Sequence, residues 1–320
     1  MARKTIIMGN GLGMAVDPTY FALDRAIGDT WSDENLLDGP SKLLIGNCLP
    51  DDGDDRPHSE DDLDTLQLAL SSCELLSRIG ATRIHWLSEE GKKFPVAVRR
   101  FIYHTAIEFH GHPAGLPPDF IDGLAGFIRE SKSHLATLNY DNLLYQPLIE
   151  REILSGYSGA LVDGFHSSGF DPEHLERKYG RTFGYYLHLH GSPLFVDRDH
   201  VTYKLHQGEV AEDEGTISSH IVLTHFRHKV TVIGASDLLT AYWFKLVEAI
   251  GESEEIILFG CSGNDAHLND VLRARPDVPV RVVEWIGSGD QAERIRKWSE
   301  LVSREISLVQ CDSVLDFRDW

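Results

Sequence analysis

The carboxyl-terminal third of the chain alternates short, almost wholly apolar runs with amphipathic stretches, and nothing else in the sequence restricts the fold so strongly. Glu255-Ile-Ile-Leu-Phe259 carries apolar residues on both faces of a strand, as a central parallel strand covered by helices must. Residues 280–285 and 306–309 repeat the pattern, with helices predicted from Ala266-His267-Leu268 onward and over 292–302. Ser236 caps a further amphipathic helix that stops at Gly251. Strands alternating with helices build a doubly wound sheet. The expected fold is therefore α/β, with a mostly parallel Rossmann-like sheet in a single domain over residues 1–320.

The amino terminus has the same layout. Thr5-Ile-Ile-Met8 reads as a strand, Gly9-Asn10-Gly11-Leu12-Gly13 as a glycine turn, and Asp17-Pro18 as the cap of a helix over 20–27. Such a turn lets backbone approach a phosphate closely, although Gly-x-Gly-x-Gly also serves simple chain reversals. Helical periodicity over 61–79, 96–109 and 118–128, with 41–46 as a short strand or helix, predicts a mostly helical insertion at 28–130. Within it, His110-Gly-His112 lacks further ligands at a recognisable spacing and reads as an exposed helix end, so no metal is expected.

Three polar clusters follow apolar strands. The run at 135–138 leads into Asn139-Tyr140-Asp141-Asn142, with a helix suggested by Leu143 to Ile149. A strand over 183–190 ends at His190 before Gly191-Ser192-Pro193. The Glu255 strand ends in Gly260-Cys261-Ser262-Gly263-Asn264-Asp265. Short strands are also expected at 201–205 and 221–224. Carboxyl ends of parallel strands share one rim of the sheet, where open α/β folds bind ligands. On a strand His188 and His190 face the same way, and either reading of His190 stands at this point: a ligand contact, or a core histidine satisfied by a carbonyl.

Charge narrows the partners. Fifty acidic against thirty basic residues give a formal charge of −20, which disfavours nucleic acid as a ligand. The densest acidic block, Asp51-Asp52-Gly53-Asp54-Asp55 followed by Glu60-Asp61-Asp62 and Asp64, lacks calcium-loop spacing and reads as a solvated loop that then caps a helix. No apolar run reaches the roughly 18 residues of a membrane span, and no secretory signal is evident, so a cytoplasmic protein with no membrane partner is expected. Cys48, Cys73, Cys261 and Cys311 are far apart and are expected as buried, reduced thiols.

Four of these segments, taken in order, resemble the sirtuin-like family, in particular its bacterial NAD-hydrolysing branch that includes antiphage effectors. Gly9-Asn10-Gly11-Leu12-Gly13 resembles the amino-terminal glycine motif, with Gly13 where many relatives carry serine. Thr137-Leu138-Asn139-Tyr140-Asp141 resembles the Thr-x-Asn-Tyr-Asp motif, Leu189-His190-Gly191-Ser192 the Leu-His-Gly-Ser motif, and Phe259 to Asn269 the late Gly-x-Ser segment. The Pro-Asp-Phe-Arg segment and paired zinc cysteines of the deacylating sirtuins are missing.

The resemblance implies a sirtuin-like sheet and an NAD(P) glycohydrolase that releases nicotinamide and ADP-ribose, with NAD as substrate and antiphage defence as its setting. It gives His190 a ribose hydroxyl, and Asn139 the ribose and attacking water. Asp141 would hold the carboxamide or brace its loop. Gly9, Asn10, Gly11 and Gly13 would meet the pyrophosphate. Gly260, Ser262 and Asp265 would complete the dinucleotide site, the last two at the adenosine ribose. A non-catalytic NAD or ADP-ribose sensor is the alternative reading, and protein deacylation a third. A homo-oligomer, the 28–130 insertion or a separate activating partner is expected to supply any trigger.

Overall fold

The computed structural model describes residues 1–50, 55–80, 87–206, 220–223 and 226–320. Positions 51–54 of the acidic block and Thr224 of the expected short strand lie outside these.

The first strand, β1 (Lys4–Met8), is followed by six helices: α1 (Gly11–Val16), α2 (Leu23–Ser32), α3 (Gly39–Gly46), α4 (Glu60–Gly80), α5 (Glu89–Ile107) and α6 (Pro118–Ser131). Next come β2 (His134–Thr137), α7 (Tyr145–Glu150), β3 (Leu161–Val162), β4 (Phe165–His166), β5 (Gly169–Phe170) and β6 (Gly184–His188). A hairpin of β7 (Phe195–Arg198) and β8 (Val201–Lys204) precedes α8 (Phe226–Gly234) and α9 (Asp237–Gly251). The chain closes with β9 (Glu255–Phe259), α10 (Ala266–Arg273), β10 (Val280–Trp285), α11 (Gln291–Val302) and β11 (Ser307–Cys311).

Seven strands form one sheet in the order β11-β10-β9-β1-β2-β6-β3, and every neighbouring pair is parallel. The chain builds outward from β1 on one side through β2, β3 and β6, then crosses to β9 on the other. The order thus reverses at β1, and a crevice opens at the carboxyl ends of β1 and β9. Alternate side chains of each strand enter opposite layers. Ile7, Ala136, Leu258 and Val282 pack with Leu239, Tyr242 and Leu246 of α9. Ile6, Met8, Ile257 and Val283 pack with Phe120, Leu124 and Ile128 of α6. Phe259 is fully buried and meets the rings of Phe120, Phe317 and Trp320. Burying each such side chain contributes roughly 1.5–3 kcal/mol. Helices α2 to α5 share a third apolar cluster of their own, around Ile27, Leu66, Val98 and Phe101.

The fold class is the one expected, and β9 and β10 occupy the expected residues. Ser236 caps α9 by accepting from the Leu239 N–H at 3.1 Å. Ser59 and Asp62 begin α4 reciprocally: Asp62 accepts from the Ser59 N–H and Ser59 Oγ from the Asp62 N–H.

Other expectations change. Asp17 caps no helix. Its carboxylate accepts from the N–H groups of Thr19 and Tyr20, making a turn that delays α2 to Leu23 and drives Phe21 into the core. The second half of the glycine turn is already helical, as α1. The 41–46 segment is helical, and the β6 strand stops at His188, two residues before His190. The 201–205 strand pairs with β7, while Ile221 makes only an isolated antiparallel bridge to Gly191. His110 does not stand in solvent: its Nε2 is buried without a partner, and burial pulls the imidazole down to about 4. His112 instead approaches Asp17 at 3.4 Å, against the Tyr20 and Phe21 rings. Among the described residues no three potential metal ligands gather, no helix is long and apolar enough to cross a membrane, and all four cysteines are free.

Candidate active site

The loops after β1, β2, β6 and β9 meet at the crevice, and the reason for their glycines is visible there. The Gly9 and Gly11 N–H groups donate to the carbonyls of Phe259 and Gly260, both at 2.9 Å. A Cβ on Gly11 would lie 2.7 Å from Gly260 Cα, and one on Gly9 2.7 Å from Gly260 O. Gly260 itself has φ +61°, a conformation that glycine adopts without strain. These glycines therefore join two loops by close backbone contact. Gly13 lines neither cavity described below; it lies under the Phe21 ring, 2.7 Å from where its Cβ would sit.

An inner chamber of about 150 Å3 lies over the joined loops. Gly9, Asn139, Tyr140, Asp141 and His190 line it, as do Lys229 and Asp265. The helical segment closes its far side with Leu23, Glu60 and Phe109. Asn10, Leu23, Cys261, Ser262 and Asn264 also line an outer groove of about 930 Å3, which continues past Gly11, Gly260, Glu284 and Trp285 over the ends of β9, β10 and β11. A cavity of about 150 Å3 holds one six-membered aromatic ring, and the groove has the size of small-molecule sites, roughly 300–1,000 Å3.

Asn139 sits just beyond β2, where its N–H donates to Thr137 Oγ1 at 3.0 Å. Its Nδ2 donates to the Gly9 carbonyl at 3.1 Å. A carbonyl only accepts, so this contact fixes which end of the amide is which. Oδ1 is then left buried with no partner among the described residues. An unmet buried acceptor costs about 1–3 kcal/mol, and such groups concentrate where a ligand or water completes them. Asp141 accepts from the Leu143 N–H at 2.9 Å, which braces the loop; burial pushes its carboxyl up to about 6. Tyr140 forms a chamber wall rather than packing wholly inward: its ring lies 6.2 Å from that of Phe109 and its hydroxyl donates to the Val222 carbonyl at 2.5 Å.

His190 is 8% exposed and places Nε2 2.8 Å from Asp265 Oδ2. Its Nδ1 makes no hydrogen bond among the described residues. Burial, then the Lys229 ammonium, lowers the imidazole from its ordinary value, and Asp265 offsets part of this. Burial likewise pushes the Asp265 carboxyl up. The His190 hydrogen bond, the charges of His190 and Lys229, and the Leu268 N–H outweigh burial and hold it well below the usual range. At neutral pH the arrangement is an uncharged imidazole donating from Nε2, with a lone pair on Nδ1. That is the state a general base requires.

His188 does not join it. It is buried among the Tyr145, Tyr186 and Phe195 rings, and burial pulls it down to about 3.

Asp265 thus stands at the imidazole, where the sequence suggested an adenosine ribose. It also caps α10 through Oδ1, accepting from Leu268 at 2.9 Å. Ser262 and Asn10 lie where chamber and groove join; Ser262 Oγ accepts from the Asn264 N–H at 3.2 Å, and Asn10 Nδ2 donates to the Phe21 carbonyl. Cys261 is buried on the floor, donating to the Ile7 carbonyl, and burial pushes its thiol up to about 12, so it is no nucleophile at neutral pH.

Two members went unseen in the sequence. Lys229 belongs to no motif, and Glu60 begins a helix distant in the chain; its periodicity over 61–79 and its acidic start signalled the helix but not its approach to the chamber. The comparisons add no relative: no protein-family model matches the chain, and no curated protein matches it.

Proposed function

We propose that this protein is an NAD(P) glycohydrolase that cleaves the nicotinamide–ribose bond, and that antiphage defence by NAD depletion, the setting implied by the motif resemblance, is its role. One observation carries the reading. The unpartnered Asn139 Oδ1 and the His190–Asp265 pair line one ring-sized chamber that opens into a nucleotide-sized groove. The nicotinamide ring would enter the chamber, with its ribose following at the chamber's mouth and the rest of the dinucleotide in the groove.

The reaction breaks the bond from the ribose anomeric carbon to the pyridinium nitrogen, whose electron pair leaves with neutral nicotinamide. Water adds its oxygen to the cationic sugar carbon and loses a proton. Asn139 Oδ1 orients the ribose and that water by accepting a hydrogen bond. His190 Nδ1 accepts a ribose hydroxyl proton as positive charge develops on the sugar. The proton lost by the water restores that hydroxyl, and His190 releases its proton to solvent, so that one proton is freed per turnover.

Purified protein incubated with NAD or NADP should release nicotinamide, and Asn139→Ala should lower kcat by about a hundredfold or more with the fold retained by circular dichroism. Tight NAD binding by the parent protein with no nicotinamide released would replace this reading with a non-catalytic sensor.

A further inference from the structure

Among the described residues, Lys229 is the one buried cation that lines the chamber, with a side chain 6% exposed. Its ammonium donates to Asp265 Oδ2 at 2.9 Å, and the same oxygen takes His190 Nε2 at 2.8 Å. Among the described residues, the other titratable groups that line the chamber with His190 are Tyr140 and Asp141 from the loop after β2, Glu60 from α4 and Cys261 from the loop after β9.

The sharing of one oxygen decides the state of the imidazole. A buried carboxylate requires a compensating charge. Were His190 the only partner of Asp265, the neutral combination would be carboxylate with imidazolium, and an imidazolium has no lone pair to accept a proton. Lys229 supplies the positive charge instead. His190 then needs only to donate a hydrogen bond from Nε2, which fixes the tautomer and leaves Nδ1 open.

We propose that Lys229 is a positioning residue, which holds Asp265 against His190 and balances its charge so that the imidazole stays uncharged with Nδ1 free as an acceptor. Only the kinetic consequence rests on the glycohydrolase reading.

The test has two arms. In ligand-free protein, the His190 ring resonance is identified by its loss in His190→Ala and titrated by NMR. Lys229→Met should move the His190 midpoint to higher pH, while Lys229→Arg, which keeps the charge, should stay near the parent. With NAD as substrate, Lys229→Met should lower kcat about tenfold, the usual scale for a group that orients a reacting one. It should leave KM unchanged and move the acid limb of the pH–rate profile upward with the NMR midpoint, and Lys229→Arg should restore both. If Lys229→Met does not fold, Lys229→Gln removes the same charge and is read in the same way. A His190 midpoint that stays in place without the charge overturns the inference. A midpoint that moves in a protein that never releases nicotinamide leaves the charge arrangement standing and removes the glycohydrolase reading instead.

Discussion

The two edges of the sheet are both rich in charged and polar side chains, and they use them in opposite ways. At the amino edge, Glu252 receives Arg3 at 2.6 Å, Arg177 at 2.5 Å and His134 at 3.4 Å, while Glu255 pairs with Lys4 at 2.8 Å and with Arg281. Arg3, Lys4, His134 and Arg281 lie at or near the starts of β1, β2 and β10, and Arg177 in the loop before β6, so these pairs tie the strands' amino ends to one another and to the end of α9. At the carboxyl edge, Asp265 is as fully engaged as Glu252, but its partners end in an open lone pair on His190, beside an orphaned amide oxygen on Asn139. One edge pairs its opposite charges with each other, away from any cavity described above. The other leaves acceptors unmet toward a cavity, which costs stability and suits chemistry.

The sharpest way to break this contrast is to remove His190. Under the proposed function, His190→Ala should lower the rate of nicotinamide release by about a thousandfold, within the range for a lost general base. Stability should change by no more than about 1 kcal/mol in urea melts, because Asp265 keeps Lys229 and the Leu268 N–H. A large loss of stability with activity retained would reverse the assignment of the two edges.

The mirror experiment is Glu252→Ala. It should cost about 2 kcal/mol, below the figure for a wholly buried pair because the Glu252 side chain is 28% exposed, and should leave NAD turnover unchanged. Its pH signature is also fixed. Burial pushes Glu252 up, but the hydrogen bonds and charges of His134 and Arg177 outweigh this and hold it well below its ordinary value of 4.5. A depressed carboxylate stabilises the fold above the unfolded value and loses that contribution as pH falls below it. His134, pulled by burial from 6.5 down to about 4, acts in the same direction, its contribution fading as pH falls through that window. Urea midpoints of the parent should therefore drop on acidification through both windows. Those of Glu252→Ala should lack the part that belongs to the carboxylate.

The sheet was legible because its signals are local. An apolar run such as Glu255–Phe259 admits few conformations other than a covered strand, and a serine at Ser236 before an amphipathic period marks a helix start. The rim was legible for the same reason: turn-forming clusters after such strands place Asn139, His190 and Asp265 on one edge. What the three do to one another was not. His190 and Asp265 are 75 residues apart, and only the fold brings them to 2.8 Å. Lys229 lies in a helix with no motif, and the reason for Gly13 is the Phe21 ring packed against it. Pairing, tautomer and charge balance belong to tertiary contacts, which neither spacing nor periodicity encodes.

The smallest expected effect sharpens the boundary within the carboxyl edge. Ser262 lies where chamber and groove join, and its Oγ accepts only from the Asn264 N–H at 3.2 Å. A hydroxyl in this place has a donor left for a dinucleotide. Losing one neutral hydrogen bond to bound substrate costs about 0.5–1.5 kcal/mol, or roughly two- to tenfold in affinity. Ser262→Ala should therefore raise KM for NAD by that factor and leave kcat and stability at parental values. Binding that is equal in ground and transition states changes KM alone. A fall in kcat at constant KM would mean that Ser262 acts on the reacting ribose, and would move the edge of the catalytic chamber outward to include it.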